Sequence, residues 1–415
     1  MGALGATPPV TDAPASILAI METMPSVAPP ADALLQYRRE FPILERTTYL
    51  ISNSLGAMPR GVHGALAAYA DTWASRGVRA WEEQWWTLAA EVGDQIATLL
   101  HAPNGSVALH GNVTQCQATV ASCFDFTGPR NKIVYSDLNF PSVMYFWEAQ
   151  RRYGARIDMV PTDDGVRVPL DRLLAAIDEQ TLLVPISHVI FRSSFIQDAQ
   201  AIIAKAHRVG ALVVLDAFQS LGSGVQVDVT ELGVDFCCGG VLKWLCGGPG
   251  VAYLYVRPDL APRLEPSFTG WFAHEQPFQF ETGPTRYTAG PYRFMNGTTS
   301  IPALNAAQPG LTILNEISQS EVRAKSQRQT SRLIELADAR GWRVNAPRRA
   351  ALRGGTVALD MPHAAAVCAA LNQRDILVDY RPQAGVRFSP HFYTADSEIE
   401  TAITAVDEIL ETISS

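Results

Sequence analysis

The sequence predicts an α/β protein with a mainly parallel sheet in a large domain, followed by a smaller α+β domain. Three observations predict it. Between residue 61 and about residue 294, short apolar runs alternate with helix-like stretches, the order expected of a parallel sheet covered by helices. The apolar runs lack an alternating polar face, as strands buried on both sides do. After about residue 305 the texture changes to long helices and sparse strands. At 415 residues the chain exceeds one ordinary core, which also favours two domains.

Each element has its own signal. Residues 86–100 space their apolar positions as a helix does. Lys132-Ile-Val-Tyr135, Leu182-Leu-Val-Pro-Ile186, Leu212-Val-Val-Leu215 and Val251-Ala-Tyr-Leu-Tyr-Val256 read as short buried strands. Residues 170–177 and 198–209 read as the helices between them. Residues 311–339 are predicted as one long helix, with strands near 355–359 and 376–379 and a closing helix over 397–411. The domains assigned on this basis are a disordered leader over 1–30, a small α+β domain from 31–60 and 300–415, and a large α/β domain over 61–299.

Composition narrows the function. Hydrophobic content of 47% with 18% charged residues is that of a globular protein, and a net charge of -8 argues against nucleic acid or anionic membranes as partners. The leader has no Lys or Arg for a signal sequence, and Ile17-Leu18-Ala19-Ile20 is too short to span a bilayer. Ala6 stands where a myristoylation motif needs Ser or Thr. The expectation is a cytoplasmic protein acting on a small molecule. Cys116, Cys123, Cys237, Cys238, Cys246 and Cys368 show no paired spacing for zinc, so no metal is expected and reduced thiols are.

Three features carry chemistry. The run Leu212-Val-Val-Leu-Asp216 is a buried strand ending in a carboxylate, which in an open parallel sheet points into the ligand crevice. Asp216 serves equally well as a helix N-cap when read alone. Lys243 lies between Leu242 and Trp244, ahead of Cys246-Gly-Gly-Pro-Gly250. Desolvation there lowers its pKa and makes it a nucleophile for a carbonyl, although a lysine snorkelling from a strand end is the alternative. Gly111-Asn112-Val113-Thr114 forms a small turn before a helix, suited to a phosphate or simply to capping. There is no nucleotide P-loop pattern. A lysine for an imine, a carboxylate for a pyridinium and a helix end for a phosphate together suit pyridoxal 5'-phosphate.

With these residues in place, the chain resembles fold type I pyridoxal-phosphate enzymes of the class V aminotransferase group, most closely the kynureninases. The resemblance spans roughly residues 40–410. Its motifs are Tyr49-Leu-Ile-Ser-Asn-Ser-Leu-Gly56 with Pro59, Arg79-Ala-Trp81, Asn139-Phe-Pro-Ser142, Ser187-His-Val189, Asp216, Lys243-Trp-Leu-Cys-Gly-Gly-Pro-Gly250, Gly270-Trp-Phe-Ala-His274, Arg293-Phe-Met-Asn-Gly-Thr298 and Val386-Arg-Phe388. It implies that Lys243 holds the cofactor and shuttles the α-proton, and that Asp216 pairs with the ring nitrogen. It also implies that Phe140 stacks on the ring, Val113 and Thr114 bind the phosphate, and Gln219 donates to the ring oxygen. Arg387, with Asn53 and Ser54, would bind the substrate. Trp271 and Thr298 would complete the pocket across the interface of a homodimer.

Three positions depart from the kynureninase pattern. Leu242 replaces a tyrosine, Gln219 a histidine and Val143 an aspartate. The resemblance implies kynureninase-like Cβ–Cγ cleavage of an amino acid. The departures keep open a class V aminotransferase, a β-eliminating lyase, or a cofactor-binding protein without activity. A persulfide-forming desulfurase fits less well, since no cysteine lies between Cys246 and Cys368.

Overall fold

A strand such as Leu212-Val-Val-Leu215 has no polar side chain, so it is stable only when covered on both faces. The computed structural model describes residues 32–414. After β1 (Thr48–Tyr49), helices α1 (Gly61–Arg76) and α2 (Trp86–Leu99) lead to β2 (Val107–His110), α3 (Val113–Ala121) and β3 (Lys132–Ser136). There follow α4 (Pro141–Ala149), β4 (Arg156–Val160), α5 (Leu170–Ala176), β5 (Thr181–Ser187), α6 (Ala199–Arg208) and β6 (Leu212–Asp216). Next come α7 (Val229–Leu232), β7 (Phe236–Gly240), β8 (Ala252–Val256), α8 (Ile301–Glu316) and α9 (Gln319–Asp338). The last part holds β9 (Arg343–Val344), β10 (Val357–Asp360), α10 (Ala364–Gln373), β11 (Ile376–Leu377), β12 (Asp379–Arg381), β13 (Gly385–Phe388) and α11 (Asp396–Ser414).

The main sheet has seven strands in the order β2-β8-β7-β6-β5-β3-β4. Every neighbouring pair is parallel except the two made by β8, which runs against β2 and β7. The mainly parallel sheet expected from the sequence is therefore present. Edge strand β4 was not foreseen: Arg156-Ile-Asp-Met-Val160 carries polar residues that an edge tolerates and a central strand does not. A four-stranded antiparallel sheet, β12-β13-β10-β9, lies in the C-terminal part.

Each sheet has its own apolar core. The larger one gathers β2–β8, α2 and, from further along the chain, Ile301, Leu304, Leu311 and Val322. The smaller one gathers Leu333, Val357, Val386, Phe388 and Val406 with Leu50. The single helix predicted over 311–339 is two helices. Ser318 caps the second, its Oγ accepting the Glu321 N–H at 3.4 Å, and Ser318-Gln-Ser-Glu321 is the box pattern that starts a helix. The break lets the chain pass from one core to the other. No helix among the described residues is long and apolar enough to cross a membrane. The sequence expectation for residues 1–30 lies outside the described residues.

Three histidines are buried in this framework. Desolvation lowers His110 and His188 to about 4 and His391 to about 3. An unfolded imidazole titrates near 6.5, so below that pH the unfolded chain binds more protons and stability falls. We expect the thermal midpoint to drop steadily below about pH 6.5. The His391→Gln variant should flatten that acid limb by about one proton. An unchanged slope would show that His391 is protonated as easily folded as unfolded.

Candidate active site

The parallel strands of the main sheet end on one side, and β6 delivers Asp216 there beside Ser187 of β5 and Cys238 of β7. Asp216 is buried, and its Oδ1 accepts the Phe218 N–H at 3.0 Å. A turn follows rather than a helix, so the N-cap alternative does not apply. Burial pushes the carboxyl pKa up, opposed by the Phe218 N–H and by Lys243. Asp216 forms no ion pair among the described residues. A buried carboxylate in that condition suits a cationic N–H donor.

Lys243 lies in the turn between β7 and β8. Its Nζ is 4.2 Å from the ring centroid of Phe218 and 5.5 Å from that of Phe140, so an aromatic face flanks it on each count. Burial lowers its pKa to about 8; Arg387 and Arg381 push the same way, Asp216 and Asp379 the other. Phe218 reaches this position because residue 240 is glycine: a Cβ there would lie 2.5 Å from the Phe218 Cζ. Phe140, 42% exposed, ends the loop before α4 and meets Phe191 edge-on at 5.2 Å.

The lysine turn is clamped from below. A Cβ at Gly56 would lie 2.1 Å from the Lys243 carbonyl oxygen, and the Gly56 N–H donates to the Leu242 carbonyl at 2.8 Å. Trp244 Nε1 donates to Gln219 Oε1 at 2.9 Å, while Gln219 Nε2 donates to the Asn53 carbonyl at 3.0 Å. Gln219 thus ties the segment before Gly56 to the residue after the lysine. The His391 ring also reaches the Trp244 carbonyl, at 2.9 Å.

At the β2–α3 turn, Asn112 rather than Thr114 is the cap, accepting the Gln115 N–H at 3.1 Å. Val113 and Thr114 occupy the first turn, where N–H groups have no partner within the helix. Thr298 comes to the same end: it lines a pocket of about 300 Å³ with His110, Gly111 and Gln115. Trp271 is 40% exposed and belongs to a separate aromatic cluster with Trp86, Phe272 and Phe278.

The residues assigned to substrate are close-knit. Arg387 of β13 is buried, and its Nε and Nη2 hold both oxygens of Asp379 at 2.7 and 2.5 Å. Its Nη1 donates to the Phe191 carbonyl at 2.6 Å. Ser54 Oγ donates to the same Asp379 at 3.0 Å. Asn53 is buried with neither its Oδ1 nor its Nδ2 hydrogen-bonded, an orphaned amide inside the protein. Sequence reasoning missed Phe218, Asp379 and Arg381. Asp379 sits directly opposite Arg387 across β12 and β13, a pairing visible only once the register is known.

The strand order, the crossover helices and the site at the strand ends define a fold type I enzyme of the pyridoxal-phosphate group. The aminotransferase class V family model matches residues 48–400, and the chain belongs to that family. It is similar to an uncharacterized aminotransferase, YcbU, of Bacillus subtilis, 32% identical over 90% of this chain and 96% of that one. It is also similar to a kynureninase of Pseudomonas fluorescens, 30% identical over 92% of this chain and 93% of that one. Among solved structures, a cysteine desulfurase from Thermococcus onnurineus shares the fold, with a TM-score of 0.80 at 22% identity, covering 94% and 100% of the two chains.

The residues present fit the cofactor expected from the sequence. An amine of lowered pKa lies between aromatic faces, a buried carboxylate lacks a cation, and a helix end with free N–H groups lies at the edge of the sheet. The Gly56 contact makes a direct test. Gly56→Ala forces the Lys243 backbone to move and should cost about 1–3 kcal/mol. The urea midpoint reads this, and an unchanged midpoint would mean that the clamp is slack.

Proposed function

We propose that this protein is a pyridoxal-phosphate-dependent enzyme acting on an amino acid, with kynureninase-like Cβ–Cγ cleavage as its reaction. The cofactor is pyridoxal 5'-phosphate, the group used across this family. The observation carrying the reaction is the Gly270-Trp-Phe-Ala-His274 element within a chain 30% identical to a kynureninase over 92% of its length.

When bound, the cofactor supplies an aldehyde and a cationic ring that accepts electron density from the substrate Cα. The remaining work falls to side chains. Lys243, its pKa lowered to about 8 by burial, would keep enough neutral amine to hold the cofactor's carbonyl and to take the proton from Cα. Asp216 would hold the ring N–H and keep it charged. The rings of Phe140 and Phe218 flank the lysine amine, and Phe140 would stack on the cofactor ring. The N–H groups of Val113 and Thr114, in the first turn of α3, would hold the phosphate, and Gln219, one amide hydrogen of which goes to the Asn53 carbonyl, would offer the other to the ring oxygen. Arg387 anchors the substrate carboxylate, with Asn53 and Ser54 beside it. Trp271 and Thr298 complete the pocket of a second copy in a homodimer.

A second reading, transamination, draws on what surrounds the lysine. Leu242, Phe140 and Phe218 carry no proton donor, so a reaction whose proton transfers one lysine amine can serve is favoured, whereas Cβ–Cγ cleavage needs a further proton at Cβ.

Two measurements decide. Borohydride should trap cofactor on Lys243 and not in Lys243→Ala. Only the neutral amine attacks, so the capture rate should rise with pH through about 8 and then level. Kynurenine should yield anthranilate; keto-acid release from an amino acid without anthranilate would replace cleavage by transamination.

A further inference from the structure

Of the three residues assigned to the substrate, Arg387 and Ser54 both donate to one carboxylate of the protein itself. Arg387 grips Asp379 through Nε and Nη2 at 2.7 and 2.5 Å, and Ser54 Oγ adds a bond of 3.0 Å. The Nη1 of Arg387 is committed to Phe191 O. The fork that would receive a ligand carboxylate therefore already holds one. Its second neighbour is Arg381, whose Nη2 lies 3.1 Å from Asp379 Oδ2. Arg381 differs from Arg387 in access: its side chain is 42% exposed, against 3% for Arg387 and 11% for Asp379.

Charge makes the arrangement legible. Two guanidinium groups face one carboxylate, so the cluster carries one positive charge to spare, enough for one further monoanion. A buried arginine without a counter-ion is costly, and Asp379 supplies that counter-ion. We propose that Asp379 is an internal stand-in for the substrate carboxylate, which an incoming amino acid displaces from Arg387 towards Arg381. Asp379 then sets the threshold of affinity: a ligand needs a carboxylate or a like anion to take its place, and each loses binding strength to the exchange. Arg381 acts as the landing partner that keeps the displaced charge paired. Neither residue touches the reacting atoms, so both are positioning residues.

The inference rests on Arg387 as carboxylate anchor, and its test is separable from that of the proposed reaction. The probes are propionate, measured by calorimetry, and glycine, measured by the visible spectrum of the holoenzyme. Asp379→Asn keeps the shape but removes the charge and should bind both at least about tenfold more tightly, because the competent state no longer has to be won from an occupant. Asp379→Ala, checked by circular dichroism for folding, should do the same. Arg381→Gln should weaken both by about threefold or more, since the displaced carboxylate loses a charge-assisted partner. Ethylamine, which has no carboxylate, should be indifferent to all three variants. Equal or weaker propionate binding in both Asp379 variants overturns the proposal, as does equal or tighter binding in Arg381→Gln. A protein that stays colourless with the cofactor fails the proposed chemistry alone, because calorimetry with propionate needs no chromophore.

Discussion

A half-buried, largely desolvated amine and a buried carboxylate share the end of one sheet, close enough to influence each other and yet not bonded. That constraint governs the site. Burial lowers Lys243 and raises Asp216, each against the other's attraction. A direct ion pair would relax both groups and leave neither usable. The separation is maintained by strands: Asp216 ends β6, and Lys243 follows β7, whose last residue is Gly240. The space that a side chain at 240 would fill is given to the ring of Phe218, whose own N–H is fixed on Asp216. One glycine therefore lets an aromatic face stand at the lysine.

The second sheet supplies what the first lacks. Its strand β13 carries Arg387, and the segment after it carries His391 to the Trp244 carbonyl. The N-terminal segment reaches the same turn through Gly56 and through the Asn53 carbonyl held by Gln219. The backbone on either side of Lys243 is thus fixed by residues far away in sequence. Fixing it preserves the lowered pKa, because an amine that could swing into solvent would regain its proton.

Much of this was legible in the sequence because it depends on local patterns. An uninterrupted apolar run ending in Asp, and a lysine among apolar neighbours before glycines, point to a strand end and a buried turn without knowledge of register. What stayed hidden depends on pairing. Asp379 and Arg387 face each other only because β12 and β13 are antiparallel in one register. Phe218 looks like an ordinary core aromatic until the notch at Gly240 is seen. The break between α8 and α9 was readable in Ser318-Gln-Ser-Glu321, but helical periodicity on both sides outweighed it.

Gln219 and Leu242 illustrate how a departure from a family pattern acquires physical meaning. Gln219 is not a bare substitute for a histidine: one end of its amide receives the Trp244 indole N–H and the other grips the Asn53 carbonyl. An imidazole, with two ring nitrogens of fixed geometry and at most one acceptor, reproduces this only in one tautomer. Leu242, by contrast, takes away a hydroxyl and returns nothing polar, and its carbonyl is already used by Gly56. The cost falls on any reaction that must protonate a carbon beyond Cα, because Phe140 and Phe218 also offer no proton. Lys243 would then serve two carbons in turn, and the geometry of a single swinging amine, rather than the identity of the side chain cleaved, would limit the rate.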